Sequence, residues 1–444
     1  MIHRDFGEIK EDGVLRAITI YSATSYFLYR GRPMGFEYEL LERLANHLDL
    51  RLEIVMADDI NDLFDMLNRG EGDLIAYGLT VTAPRRKLVN FTRHHFVTHQ
   101  VLVQRKPENW RKMKLHEIQK ELVTNALDLI DDTVHVRKNS SYFHRLKNLS
   151  QEMGGAIHIK TISGNYATGE IIQMVVNGKV KYTIADYSIA AINQTYYPIL
   201  DISTPVSFSQ RIAWAVRKNS PDLLAVVNEW IKGMKKETDY YVIYNKYFRN
   251  KKLFKRRIRS EFYSLNTGKI SLYDTHIKRH AGMIGWDWRL ISSLIYQESR
   301  FEEDAESWAG GKGLMQLMPA TARELGVNNR TDPAENIEGG IKYLGRLWDR
   351  WDDIADSVQR IKFVLASYNC GYHHVRDAQR LAEKYGKAPL VWDENVEEYI
   401  LKLSFRRYFQ DEVVEYGYVR GSEPYEYVRE IFERYDHYRK FIPA

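Results

Sequence analysis

From about Val14 the chain alternates short runs rich in β-formers with stretches of helical period: LRAITIY, FEYELLERLANHL, LRLEIVM, INDLFDMLNRG and DLIAYG. The order βαβαβ predicts a largely parallel sheet covered by helices. A second set follows, with TVHVR, a helix from Ser140, AIHIKTI, the helix GEIIQMVVNG and KYTIADY, and predicts a second α/β lobe. After Pro205 the segment SFSQRIAWAVRKN reads as a returning strand, and SPDLLAVVNEWIKGM as a helix opened by Ser-Pro, so the chain is expected to rejoin its first lobe. Beyond Phe254 strand patterns stop. DWRLISSLIYQES, PATARELG, IEGGIKYLGRLWDRW, SVQRIKFVLASYN, NVEEYILKLSFRRYF and PYEYVREIFERY all have helical period, with starts such as Asp332-Pro333 and stops such as Gly326 and Gly371. The predicted organisation is a two-lobed α/β domain over 10–250, a basic linker over 251–270 and an all-α domain over 271–444.

Composition narrows this picture without changing it. With 444 residues, 44% hydrophobic and 28% charged, the chain suits two or three folded domains and contains no disordered tract. A net charge of +5 is mild, so nucleic acid is not an expected partner. Lys251, Lys252, Lys255, Arg256, Arg257 and Arg259 crowd together and read as a solvated linker, with contact to anionic lipid or an acidic polymer as the alternative. No apolar run approaches the roughly 18 residues needed to span a bilayer, and MIHRDFGEIK lacks the apolar core of a secretion signal. The single cysteine, Cys370, excludes an intramolecular disulfide and leaves the redox compartment open.

Candidate chemistry concentrates in YQESRFEEDAESWAGGKGLMQLMPATA, from Tyr296 to Ala322. Ile291, Leu294, Ile295 and Glu298 share one helical stripe, which places Glu298 at the end of an apolar row. Desolvation there raises a carboxyl pKa, the state a general acid needs near neutral pH. Glu302, Glu303, Asp304 and Glu306 lie past the helix and are expected to be solvated. The turn Gly310–Gly313 brings backbone close to Leu314–Pro319, where Gln316 stands among apolar neighbours as part of a cleft wall. Tyr368 and Asn369 end a further helix and suit a sugar ring and an acetamido group; core aromatic and helix cap are their simpler readings. Cys370 reads as a small buried residue.

Glu298-Ser299, Gly313-Leu314-Met315-Gln316-Leu317-Met318-Pro319, Asn336-Ile337 with Gly340 and Tyr343-Leu344, Tyr368-Asn369 with Gly371, and Tyr427-Val428 resemble, in order and spacing, the soluble-type lytic transglycosylases. The resemblance implies a goose-lysozyme-like all-α fold and a peptidoglycan substrate. Glu298 would protonate the glycosidic oxygen between N-acetylmuramic acid and N-acetylglucosamine and then act as base on the muramic C6 hydroxyl, giving a 1,6-anhydro product. Most glycosidases use two carboxylates; here one would suffice, with no cofactor. The resemblance further implies that Ser299, Gln316, Tyr368, Asn369 and Tyr427 line the glycan groove, with Met315 packed beside it and Glu423 keeping the frame of the last block. Tyr425 stands where many relatives have arginine, and Cys370 where alanine is usual.

GDLIAYGLTVTAPRRKLVNFT, from Gly72 to Thr92, and Gly35-Phe36-Glu37 resemble the polar-amino-acid solute-binding proteins, so the first domain is expected to be periplasmic-binding-protein-like. In that family the backbone at Gly78, the hydroxyl of Thr80 and the guanidinium of Arg85 would hold a ligand carboxylate, a group that matches arginine's fork of donors. Arg86 reads as surface. Ser140 and Ser141 would offer helix amides to an anion, and Asp186 would meet an ammonium group. The implied ligand is an amino acid or a cell-wall peptide that regulates the enzyme; a cleft that has lost its ligand is the alternative. The implied location is the periplasm, with the parent protein lipid-anchored to the outer membrane. His95 with His99 and His276 with His280 have i,i+4 spacing but lack the carboxylate of a zinc motif and read as surface histidines, so no metal is expected. A hydrolytic muramidase and a non-catalytic glycan or amino-acid receptor remain the competing readings.

Overall fold

The structure is a computed structural model that describes residues 2–163, 166–258, 260, 262–263 and 268–444. It divides into two compact units, Met1–Phe27 with Pro33–Ser260 and Leu28–Arg32 with Glu261–Ala444.

In the first unit the strands Arg51–Ala57, Val14–Ile20 and Leu74–Thr80 run parallel, and Gln210–Val216 joins antiparallel beside Leu74–Thr80. The return of the chain to its first lobe is therefore made by the strand expected to make it. Ile18 pairs with both Val55 and Ile75, which sets the apolar face that receives Leu63 and Leu67 of the helix Asp62–Arg69. The second sheet has the order His158–Ile162, Thr133–Arg137, Tyr182–Asp186, Gln100–Arg105, Leu200–Asp201, parallel over its first three strands. Val134, Val136 and Ile184 form its core with Leu146 of the helix Ser141–Met153.

Two expectations are corrected in this unit. The basic stretch forms a helix, Lys251–Ile258, as lysine and arginine are good helix formers. Arg257 is buried rather than solvated, against the rings of Phe27 and Tyr247, with Nη2 donating to Lys246 O at 3.0 Å. Lys252 and Arg256 are exposed; Arg259 lies outside the described residues, as do the side chains of Lys251 and Lys255. His95 is also buried, 4.5 Å from the Trp214 ring. Burial pushes its imidazole down to about 3, so a neutral ring serves as packing there.

From Glu261 on, every regular element among the described residues is helical. The helix Trp288–Ser299 packs against the last helix, Ser422–Phe441. Ser293 Oγ donates to Ile431 O at 2.8 Å, and Arg434 donates to Ser293 O at 3.1 Å and to Gln297 Oε1 at 2.9 Å. NVEEYILKLSFRRYF is not one helix: Glu397–Lys402 and Arg406–Phe409 are separated at Leu403–Phe405. There Ser404 Oγ donates to Val419 O and accepts from Gly421 N at 2.8 Å, long-range bonds that bind the residue where local period would continue the helix.

Candidate functional site

Asp287 caps the helix Trp288–Ser299 by accepting from Arg289 N at 2.9 Å. Ile291, Leu294 and Ile295 are fully buried, and Glu298 follows one turn later on their stripe. Arg300 and Phe301 then adopt left-handed φ of 52° and 64°, which turns the chain away and leaves Glu298 at the helix end. The next four acids, Glu302, Glu303, Asp304 and Glu306, are all exposed.

Burial pushes the Glu298 carboxyl up to about 7, and the Tyr427 hydroxyl, donating to Oε1, opposes the rise by stabilising the charged form. Among the described residues no second carboxylate is among the influences acting on Glu298. A partner at the roughly 5–9 Å separation of paired glycosidase acids would add a like-charge contribution. Tyr427 and Tyr368 are held neutral by burial, and both lie within the electrostatic reach of Glu298. The site is one acid set between phenols.

The glycine-rich loop is docked by Asn336. Its Oδ1 accepts from Met315 N at 2.7 Å, and its Nδ2 donates to Lys312 O at 3.0 Å and Arg330 O at 2.7 Å. Gly313 has φ +83°, and a Cβ there would run into Arg330 O and the Asn336 side chain. Tyr368 donates to Met315 O at 2.6 Å, with the Tyr343 ring 5.4 Å from its own. The loop, the helix Pro333–Arg350 and the helix Ser357–Cys370 thus form one assembly.

The residues expected along the groove divide. Glu298, Tyr427 and Tyr368 come together. Gln316, at a left-handed φ of 49°, turns its amide inward to donate to Ala305 O at 3.0 Å and Gly313 O at 2.9 Å, so it braces the loop. Ser299 is buried and its hydroxyl donates back to Ile295 O at 3.1 Å. Met315 is fully buried. Asn369 is exposed on the last turn of its helix. Glu423 is exposed and paired with Arg420 at 3.0 Å, and nothing described joins it to Glu298. Tyr425 lies under the Arg429 guanidinium at 4.9 Å. The Cys370 thiol is half-buried and pushed up to about 12, which makes it inert as a nucleophile. Asn336 had been seen only as part of a motif, and its three bonds reach across 6, 21 and 24 residues.

The first unit holds a cleft at the carboxyl ends of its strands, about 410 Å³ and continuous with solvent. Gly78, Thr80, Arg85, Ser140, Ser141 and Asp186 all line it. Arg85 donates to Thr80 O at 3.1 Å and is pushed down to about 10 by burial and by the charge of Arg137. Asp186 is buried, accepts from the Tyr142 hydroxyl at 3.1 Å and is pushed up to about 6 by burial, against the pull of Tyr142, Arg85 and Arg137. Ser140 Oγ is taken by Arg137 O at 2.7 Å, while Ser141 Oγ lies 3.4 Å from Thr80 Oγ1. Ser140 Oγ also accepts from Phe143 N at 3.4 Å and so acts as the helix cap. Arg137, Tyr77 and Tyr142 also line the cleft and were not foreseen: a lone arginine ending a strand reads as surface. Among the described residues no group of three or more histidine, cysteine or acidic side chains is placed to hold a metal.

Comparison with known proteins agrees with this division. Residues 276–391 match the transglycosylase SLT domain, and residues 15–250 match the bacterial extracellular solute-binding proteins, family 3. The membrane-bound lytic murein transglycosylase F of Desulfosudis oleivorans is 36% identical over 97% of this chain and 90% of its own length. That of Pseudomonas fluorescens Pf-5 is 32% identical over 96% of this chain and 85% of its own. Among solved structures, the P235GK mutant of ArgBP from T. maritima covers 55% of this chain and 98% of its own at 27% identity, with a TM-score of 0.44. No helix among the described residues is long and apolar enough to cross a membrane. Both domain matches and the near full-length identity to these relatives lead to one conclusion: the chain belongs to the membrane-bound lytic murein transglycosylase F family.

Proposed function

We propose that this chain cleaves the β-1,4 bond between N-acetylmuramic acid and N-acetylglucosamine without water, with Glu298 as its only catalytic carboxyl. The single observation that carries the reading is the Glu298 carboxyl, set at the end of an apolar stripe, bonded by Tyr427 and pushed up to about 7 by burial, with no second carboxylate among the described residues acting on it. Protonated Glu298 gives its proton to the glycosidic oxygen as the C1–O bond breaks. The carboxylate so formed takes the proton of the C6 hydroxyl as O6 closes on C1, and Glu298 is restored. The Tyr427 hydroxyl favours the carboxylate form and so steadies the enzyme between the two transfers. Tyr368, whose hydroxyl is committed to Met315 O, offers the sugar its ring, and the exposed amide of Asn369 suits an acetamido group.

The first domain would take an amino acid or the end of a cell-wall peptide, its carboxylate on Arg85 and its ammonium group on Asp186. Cleft occupancy would then bias the enzyme, provided the ligand binds its two states unequally. The substrate sets the location as the periplasm, with the parent protein held at the outer membrane.

Mass spectrometry of a peptidoglycan digest tests the chemistry. Anhydro-muropeptides are expected; products heavier by one water would make the enzyme a hydrolase, and no release with or without ligands would favour a receptor.

The pH profile carries a further expectation. The initial transfer needs protonated Glu298, so the rate should fall as pH rises through about 7. Tyr427→Phe removes a bond that favours the charged form, so its alkaline limb should move to higher pH as its maximal rate drops. A limb that stays in place would remove Tyr427 from the acid's control.

A further inference from the structure

An α-amino acid with a neutral side chain carries one carboxylate and one ammonium group, and Arg85 and Asp186 account for both. The cleft holds a further cation. Arg137 ends the strand Thr133–Arg137, next to the strand that ends in Asp186, and is 4% exposed. Its Nε has no hydrogen-bond partner, and it forms no ion pair among the described residues. Around it stand the hydroxyl of Tyr77, which bonds to it, and that of Tyr142; of the carboxylates whose fields reach it, Asp59 accepts from both the backbone and the side-chain amide of Asn61, and Asp186 is shared with Arg85. Glu37, near Gly78, is occupied by Trp214 Nε1 at 2.6 Å. Asp186 likewise keeps one oxygen, Oδ1, buried and unpartnered.

Arg137, buried, and Arg85, half-buried, repel each other and share the field of Asp186, so a ligand whose ammonium group engages Asp186 and that supplies one carboxylate would leave one guanidinium uncompensated, an unfavourable arrangement. The backbone of Arg137 is fixed by the Ser140 hydroxyl on its carbonyl, so the group is held in place by the lobe's framework.

We propose that the cleft selects a ligand with two carboxylates and one ammonium group, an acidic α-amino acid or an acidic residue at a peptide end, and that Arg137 reads the second carboxylate. This rests on the reading of the cleft as an amino-acid or peptide receptor. It orders ligands by charge: acidic side chains bind tightest, neutral ones weaker, and basic ones weakest because they bring a third cation to the site.

Calorimetry on the full chain at fixed pH and ionic strength tests the order, with glutamate, glutamine and lysine in both stereochemical forms as probes. Glutamate is expected to bind at least tenfold tighter than glutamine, and lysine weakest. Arg137→Gln should bring the glutamate-to-glutamine ratio to about one while glutamine still binds, and Arg137→Lys should keep the preference for acid; thermal unfolding checks that each variant folds. Equal binding of glutamate and glutamine by the unaltered chain, or an unchanged ratio in Arg137→Gln, would overturn the selectivity and leave the receptor reading intact. No heat from any probe, with Arg85→Ala indistinguishable from the unaltered chain, would overturn the receptor reading and the selectivity with it.

Discussion

Glu298→Gln is expected to lower release of anhydro-muropeptides by on the order of 10³-fold or more, because the amide can neither give nor take the proton. The same substitution should leave the fold intact and raise the melting temperature at alkaline pH. The sign follows from the direction of the pKa shift. The carboxyl is pushed up from 4.5 to about 7, so the folded state holds its proton more tightly than the unfolded chain does. Between those values, as pH rises, the unfolded chain ionises freely and the folded one does not, and stability is lost until the folded carboxyl has also ionised. Glutamine escapes this loss. The gain in melting temperature of Glu298→Gln should therefore be small at pH 5 and grow toward pH 8. An active variant would remove Glu298 from the chemistry; an inactive variant destabilised at pH 8 would mean that its carboxylate is held by structural partners.

Asn336→Ala is expected to produce the largest loss of stability of any single polar substitution around the site. It leaves Met315 N and Arg330 O without their partner at a fully buried position, while Lys312 O keeps the Leu317 amide. At about 1–3 kcal/mol for each unsatisfied buried group the loss is about 2 kcal/mol or more, a drop of roughly 5 °C or more for a unit of this size. Activity should disappear well below the new melting temperature, since Tyr368 is bonded to the same loop at Met315 O. An unchanged melting temperature would mean that the loop is held by Gln316, Tyr368 and the Arg330 guanidinium without Asn336. Asn336→Asp should be no rescue, because it keeps the acceptor and turns a negative charge toward two carbonyls.

The two-lobed sheet domain, the return near Gln210–Val216 and the helical second unit were legible because apolar period reports directly on which face a segment buries. Glu298 was legible for the same reason, as a charged residue continuing a stripe of Ile291, Leu294 and Ile295. Its hydrogen-bonding partner was not: Tyr427 lies 129 residues away and entered only through the motif it belongs to. Gln316 was legible as a polar residue in this loop, but its inward amide bonds were not, since they depend on a left-handed φ that residue type does not announce. Arg257 was misjudged, and Arg137 was not singled out, for one reason. Sequence cannot distinguish a guanidinium facing water from one enclosed by aromatic rings and hydroxyls that arrive from other segments.

The pairing of Glu298 with the last helix also orders events during synthesis. Tyr427, Ile431 and Arg434, which tune the acid and clamp its helix, are all in Ser422–Phe441. A chain emerging from the ribosome therefore presents its proton donor more than a hundred residues before the hydroxyl that completes the centre. Interrupted translation products and fragments clipped ahead of that helix would carry every other described part of the site and lack the hydroxyl bonded to Glu298, so the order of the helices makes completion of the chain a condition for completion of the centre.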